Sequence, residues 1–183
     1  HAIGSLAMRH RQTGFTLIEL SVTTAVIGIL ASISISPFAG LLEHRRTTAA
    51  IESLEAHLAL ARMAAISRNH AAILCPSRDG MTCTDTVDWS GGWKLFVDAN
   101  RNRRPDAGDD ILRTDLRPDD GSLRIASSNG RRQLVYRSDG TSGGSNITIS
   151  ICGHGNALLG QVIVNNIGRV RSLRPTSPTP CPA

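Results

Sequence analysis

An apolar run from Phe15 to Ser36 constrains the fold of this 183-residue chain more than any other feature. Its length suits a membrane-spanning helix, which needs about 20 residues. The run holds one charge, Glu19. A carboxylate at mid-bilayer costs about 2.5–3.5 kcal/mol on insertion scales, so Glu19 should have a partner or a task. The basic segment 8–14 would stay cytoplasmic. We therefore expect a single-pass helix over residues 15–37, with the rest of the chain exported.

A second helical pattern follows the apolar run. Between Leu41 and Ala65, apolar residues recur mainly at spacings of three, four and seven, with charged residues between them. This pattern predicts an amphipathic helix over residues 38–68. Its apolar stripe must be covered by other parts of the chain.

After residue 68 the pattern changes to short β-rich runs separated by glycine-containing turns. The predicted strands cover residues 71–75, 93–97, 110–114, 122–126, 133–137, 146–152, 161–165 and 169–173. The simplest arrangement is an α+β fold in which a mostly antiparallel sheet wraps the apolar stripe of the helix. The globular domain would cover residues 69–174, and the proline-rich residues 175–183 would form an extended tail.

The four cysteines favour two disulfides, because an even number in an exported chain is typical of a disulfide framework. Three pairings are possible. We favour Cys75–Cys83, which closes a short loop, and Cys152–Cys181, which would hold the C-terminal tail. Free buried thiols are the alternative. There is no CxxC pair or histidine cluster of the kind that binds zinc.

No catalytic or cofactor signature is visible. The six histidines are scattered, and their spacing supports neither a Ser/His/Asp nor a Cys/His arrangement. Residues 98–110 place side-chain oxygens at alternating positions, as calcium loops do. However, three arginines interrupt this loop, and Asx residues also form turns without a metal. We therefore favour a turn, and expect neither an enzyme nor a metal or cofactor site.

The N-terminal motif carries a family resemblance. Residues Gly14 to Leu20 read GFTLIEL, after a basic segment and before an apolar helix. This resembles the processing site of type IV pilins and type II secretion pseudopilins. The resemblance implies that a prepilin peptidase removes the leader, residues 1–14, after Gly14, and that the Phe15 amine is then methylated. It also implies that Glu19 meets the N-terminal amine of a neighbouring subunit during assembly, which would offset the desolvation of its carboxylate. A glutamate at the membrane surface is the alternative.

Further residues are similar to the GspH/FimT group of minor pilins and pseudopilins. The matching segments are 75–77, Cys83, 89–93, 96–100 and 111–113. The resemblance implies a type IV pilin-like fold, with other pilin subunits as partners through the N-terminal helix. It also implies residence in the bacterial inner membrane, with a periplasmic C-terminal domain, before assembly into an extracellular pilus.

Positive charge is concentrated in the C-terminal third. Residues 121–183 hold seven arginines and one acid, whereas residues 15–120 hold eleven basic and fourteen acidic side chains. Such a basic block can recruit a polyanion. A solvated surface is the alternative.

Within that block, the segment Gly168-Arg169-Val170-Arg171 suggests a DNA contact. On a strand, Arg169 and Arg171 would share a face, and paired guanidinium forks match phosphate oxygens. The pattern is similar to the DNA-binding motif of FimT minor pilins, which take part in DNA uptake for natural transformation. The resemblance places DNA contacts at Gly168, Arg169 and Arg171. An edge strand whose arginines discourage pairing is the alternative. Charge alone adds four supporting candidates: Arg174, Arg131, Arg132 and Arg137.

Two functions remain open at this stage. The first is a minor pilin that binds extracellular double-stranded DNA with little sequence preference, which requires the arginines on one face. The second is a purely structural minor pilin or type II secretion pseudopilin, which predicts arginines that are dispersed or paired with Asp115, Asp119 and Asp120. A calcium-stabilised pseudopilin is a third, weaker hypothesis.

Overall fold

A computed structural model describes the backbone of residues 14–117, 121–144 and 146–182, and their side chains except those of residues 31–39. The predicted leader up to residue 13 lies outside this range. The chain divides into two compact units, His1–Gly40 and Leu41–Ala183. We describe each unit by itself.

Helix α1 spans Leu17–Arg68, so both predicted helical segments are helical. It begins with a T-x-x-E sequence, in which the Glu19 N–H donates to Thr16 Oγ1 at 3.3 Å. This bond satisfies one of the backbone donors that the first turn leaves open. The helix ends before Asn69, whose φ of 53° is the left-handed conformation common just after a helix.

In the first unit, the described large apolar side chains are exposed. They are Phe15, Leu17, Ile18, Leu20, Val22, Val26, Ile27, Ile29 and Leu30. Among the residues whose placement is described, no helix combines the length and apolar character that a membrane span requires.

The second unit contains all eight predicted strands. They are β1 (Ala71–Pro76), β2 (Gly92–Asp98), β3 (Asp110–Leu116), β4 (Arg124–Ser127), β5 (Leu134–Tyr136), β6 (Ile147–Cys152), β7 (Leu158–Val164) and β8 (Val170–Leu173). Every strand pair is antiparallel. The expectation of a single sheet was wrong, because β5 pairs with β1 and not with β4. The strands form a first sheet, ordered β3-β2-β1-β5, and a second sheet, ordered β4-β6-β7-β8.

The apolar stripe of the helix is buried together with residues of both sheets. Leu54 and Leu58 are fully buried and belong to the same core cluster as Leu74 of the first sheet and Ile149 of the second. The outer face of the first sheet carries a smaller cluster, formed by Ile73, Cys75 and Phe96 with Cys83 and Val135 packed against it. The apolar stripe of the helix thus explains the main core. Because side chains alternate between the two faces of a strand, β1 and β2 supply buried residues to both clusters.

Both predicted disulfides are confirmed, Cys75–Cys83 and Cys152–Cys181. The first closes a loop over the outer face of the first sheet. The second holds the tail against the turn between β6 and β7, where the Cys181 N–H donates to the Asn156 carbonyl at 2.8 Å. Each bridge therefore fixes a segment that lacks a long strand of its own.

Candidate nucleic-acid interface

The turn between β7 and β8 contains Gly168, which is buried with a φ of 80°. A Cβ at this position would overlap the carbonyl oxygen of Gly140 and would lie 3.0 Å from Cε1 of Tyr136. Only glycine adopts this conformation and this approach without strain. The absence of a side chain at Gly168 therefore allows a close contact with the protein's own β5–β6 turn.

Two side chains fix the backbone of this turn. Arg62 of the helix donates from Nη1 to the Gly168 carbonyl and from Nη2 to the Ile167 carbonyl, both at 3.2 Å. The Tyr136 hydroxyl donates to the same Gly168 carbonyl at 3.3 Å. Burial raises the pKa of Tyr136 to about 12, so its hydroxyl keeps the proton that it donates at neutral pH.

Arg169 and Arg171 follow this turn and are both exposed, while Val170 between them packs partly against the core. Arg171 lies in β8, which is an edge strand of the second sheet, and Arg169 immediately precedes it. Neither guanidinium pairs with a carboxylate among the described residues. We call Arg169 and Arg171 the arginine edge.

Arg174 lies beyond the opposite end of β8. Its Nη2 donates to Thr48 Oγ1 of the helix at 2.8 Å. This contact ties Arg174 to the side of the helix, so it is less free than the two residues of the arginine edge.

The other three predicted arginines lie elsewhere, in a cleft of about 1080 Å³ beside β5. The cleft also contains Arg103 and Arg104, which were missed as site residues because they were weighed only as obstacles to calcium. Its walls come from residues 82–85, 102–105, 130–133 and 143–144. We define the arginine cleft by the five cationic residues that line it: Arg103, Arg104, Arg131, Arg132 and Arg137.

Arg131 is the most enclosed of the five. Its Nη1 donates to the Gly143 carbonyl at 3.0 Å, but its Nε and Nη2 are buried and have no acceptor among the described residues. A buried donor without an acceptor costs about 1–3 kcal/mol. Burial also lowers the pKa of the Arg131 guanidinium. Arg131 is therefore anchored by its bond to Gly143, and two of its donors are closed off from solvent.

Where the structure describes the lining of the arginine cleft, it contains one carboxylate, that of Asp85. It accepts a hydrogen bond from Arg132 Nη1 at 2.6 Å, and this bond raises the pKa of Arg132. Among the described residues, Arg103, Arg104 and Arg137 form no ion pair. The cleft thus keeps a strong excess of positive charge.

The loop that could have bound calcium forms one wall of the cleft. Buried Asp98 accepts hydrogen bonds from the backbone N–H groups of Asn102 and Arg103, at 3.1 and 3.0 Å. Asp106 accepts from the side chains of Asn100 and Asn102, and these bonds lower its pKa. Across the described parts of the chain, no group of three or more acidic, histidine or cysteine side chains could hold a metal. The loop oxygens instead form the turns that present the cleft arginines.

The arginine edge and the arginine cleft meet at one contact. The Gly140 N–H donates to the Arg137 carbonyl at 2.8 Å, and the Ser142 N–H donates to the Asn166 carbonyl at 2.9 Å. The β5–β6 turn, which begins at Arg137, therefore packs on the turn that precedes Arg169. The predicted arginines do not share one face. They form two neighbouring groups on different sheets.

Of the three acids that the structural alternative would use, the structure describes Asp115, which does not pair with these arginines. Asp115 accepts a hydrogen bond from Ser53 and pairs with Arg117 at 3.9 Å. Asp119 and Asp120 lie outside the described residues. Glu19, Gly14 and Phe15 are described, and all three are exposed in the first unit.

The sequence matches two protein families. Residues 50–168 match the family described as Type II transport protein GspH, and residues 9–35 match the prokaryotic N-terminal methylation motif. The first match ends directly before Arg169. No curated protein sequence matches the chain significantly.

The fold is similar to two solved structures. The type IV minor pilin FimU of Pseudomonas aeruginosa is 21% identical, with a TM-score of 0.58 over 76% of this chain and 96% of its own. The minor pseudopilin EpsH of the type II secretion system of Vibrio cholerae is 16% identical, with a TM-score of 0.51 over 71% of this chain and 98% of its own.

A long N-terminal helix packed on antiparallel sheets, with a methylation motif over residues 9–35 that includes the start of this helix, defines a type IV pilin-like protein. The chain belongs to the GspH family of minor pilins and pseudopilins. These are structural subunits, not enzymes. Membership implies processing by a prepilin peptidase, anchorage in a membrane and then assembly with other pilin subunits.

Proposed function

We propose that this protein is a minor type IV pilin that binds extracellular double-stranded DNA during uptake for natural transformation. The observation that carries the proposal is the arginine edge. Arg169, directly before the edge strand β8, and Arg171 within it are both exposed, and neither has a carboxylate partner among the described residues. Guanidinium groups bind phosphate oxygens bidentately. Contacts of this kind position a duplex without reading its bases, so we expect little sequence preference.

Gly168 and the four other predicted arginines support the DNA contact of the arginine edge in different ways. Gly168 shapes the turn that presents Arg169, through its contact with Gly140. Arg174 adds charge at the far end of β8. Arg131, Arg132 and Arg137 contribute positive potential from the neighbouring cleft, which steers a polyanion toward the surface before contact.

The N-terminal region completes the proposal. Cleavage after Gly14 would leave Phe15 as a methylated N-terminus, and residues 15–37 would cross the inner membrane once. Residues 38–174, with the tail to residue 183, would then lie in the periplasm and later on the extracellular pilus. Glu19 would meet the terminal amine of a neighbouring subunit in the pilus core, which would offset its desolvation.

One observation favours the alternative of a purely structural minor pilin or pseudopilin. An apolar groove of about 610 Å³ lies beside Arg169, between the helix and the β7–β8 turn. Met63 and Ile66 line it and are 61% and 52% exposed. An exposed apolar surface of this kind suits a contact between subunits. In a purely structural pilin or pseudopilin, Arg169 would lie at the border of this subunit contact.

The deciding experiment measures duplex DNA binding by the full chain in a non-ionic detergent over a range of salt concentrations. Wild type is compared with Arg169→Gln/Arg171→Gln. The matched control is Arg45→Gln/Arg113→Gln, which removes the same charge from exposed positions outside both arginine surfaces. We expect the arginine-edge variant to lose at least about tenfold in affinity. Its log–log salt slope should become shallower by about 2, because two phosphate contacts are lost. If the arginine-edge variant and the control variant bound duplex DNA equally well, the proposal would be wrong and the purely structural pilin or pseudopilin would be favoured.

A further inference from the structure

The arginine cleft differs from the arginine edge in shape. Its volume is about 1080 Å³, enclosed by four loop segments on the outer face of the first sheet. This volume is close to the upper end of the range of about 300–1,000 Å³ found for pockets that bury a drug-sized ligand, so the cleft cannot take in a whole duplex. A few nucleotides of one strand fit a space of this size. The shape of the cleft therefore selects against the ligand that suits the exposed edge.

The charge of the cleft selects for an anionic chain. Among the described residues that line it are five arginines and a single carboxylate, that of Asp85, which already accepts a hydrogen bond from Arg132. Two nitrogens of Arg131 are buried without an acceptor among the described residues. These two nitrogens are closed off from solvent, so a phosphate group in the cleft would contact the exposed guanidinium groups of Arg103, Arg104 and Arg137.

The lining also indicates how a strand would be held. No aromatic side chain is among the described residues that line the cleft, so bases would not stack on the protein. One lining glycine, Gly130, has open space where a Cβ would stand, so a strand can approach the backbone there. The space beside Gly143 and Gly144 is taken by the side chains of Arg137 and Arg131. Binding through phosphates with little base preference follows from this composition.

We propose that the arginine cleft binds one strand of single-stranded DNA, as a second site distinct from the arginine edge. The choice of DNA as ligand rests on the proposed function, but the residues are different. The two sites adjoin at the contact between the β5–β6 turn and Gly168. An unpaired strand end that leaves a duplex held at the arginine edge can therefore enter the cleft beside Arg137.

The experiment uses the full chain in non-ionic detergent and two fluorescent probes, a short oligothymidine and a duplex of the same length. The cleft variant is Arg104→Gln/Arg137→Gln, since neither guanidinium has an ion-pair partner among the described residues. It is compared with Arg169→Gln/Arg171→Gln and with the control Arg45→Gln/Arg113→Gln. Thermal unfolding of all three variants checks that the fold is retained. Polyglutamate serves as a competitor of the same charge without phosphate.

We expect the cleft variant to lose at least about tenfold in affinity for oligothymidine and to keep most of its affinity for the duplex. The arginine-edge variant should show the opposite pattern. Undiminished oligothymidine binding by the cleft variant would overturn the inference. Equal competition by polyglutamate would also overturn it, in favour of an acidic polypeptide. The duplex measurements decide the proposed function separately, so failure of one proposal is distinguishable from failure of the other.

Discussion

The arginine edge and the arginine cleft use the same side chain in opposite ways. Arg169 lies directly before the edge strand β8 and Arg171 lies within it, both exposed and two residues apart. The cleft gathers Arg103, Arg131 and Arg137 from separate loops and buries part of one of them. In our proposals, the arginine edge presents its charge to a DNA duplex, whereas the arginine cleft surrounds a single DNA strand. The number of arginines in the C-terminal part of the sequence does not distinguish these two arrangements.

The two surfaces also depend on different cross-links. Cys75–Cys83 shapes the loop that forms one wall of the cleft, and Cys152–Cys181 holds the tail that follows β8. The comparison therefore predicts that each surface can be weakened without the other.

The largest effect is expected from removing the disulfides. Cys152→Ser/Cys181→Ser opens a loop with a separation of 29 residues, and should lower the free energy of unfolding by about 3.5 kcal/mol. Cys75→Ser/Cys83→Ser opens a separation of 8 residues, and should cost about 2.5 kcal/mol. Urea unfolding measures both. DNA binding by the folded variants then tests whether each disulfide supports a different surface. Loss of Cys75–Cys83 should weaken oligothymidine binding more than duplex binding. A reversed order of these binding losses would contradict the assignment of each bridge to its surface.

A slightly smaller effect is expected at the contact between the two surfaces. Gly168→Ala should destabilise the protein by about 3 kcal/mol, because a left-handed alanine and an overlap with Gly140 add together. Gly155→Ala is the matched control. It has a φ of 68° but no atom within 4 Å of the added Cβ, so it should cost only about 1 kcal/mol. Equal unfolding free energies for the two variants would show that conformation alone, and not the contact, makes Gly168 necessary.

The smallest effect sharpens the description of the cleft. Asp85→Asn removes the carboxylate that neutralises Arg132, so it should raise the affinity for oligothymidine about twofold. Duplex binding at the arginine edge should not change. Stability should change little, because both partners are largely exposed. The measurement is fluorescence anisotropy with both probes, and a rise in duplex affinity of the same size would show that the two surfaces act as one.

Much of this architecture was predictable from local patterns. The apolar spacing between Leu41 and Ala65 predicted the buried helical stripe, and alternation with glycine turns predicted all eight strands. Both disulfides were also predicted correctly. Arg169 and Arg171 could be found because the side-chain period of a strand puts them on one side. These features depend on residues that are close together in the chain or, for the disulfides, on a choice among three possible cysteine pairings.

Other features arose only from contacts between distant segments. The division into two sheets depends on the pairing of β5 with β1, about 60 positions earlier, and no local pattern specifies such a pairing. The arginine cleft exists because four loops close over one sheet face, which brought in Arg103 and Arg104 and moved Arg131 away from Arg169. Gly168 was recognised as a turn residue, but its contact with Gly140 required the two sheets to pack. Backbone sterics and hydrophobic periodicity depend on neighbouring residues and can be seen in the sequence. A cleft between loops forms only when segments that are distant in the sequence pack together in the folded chain.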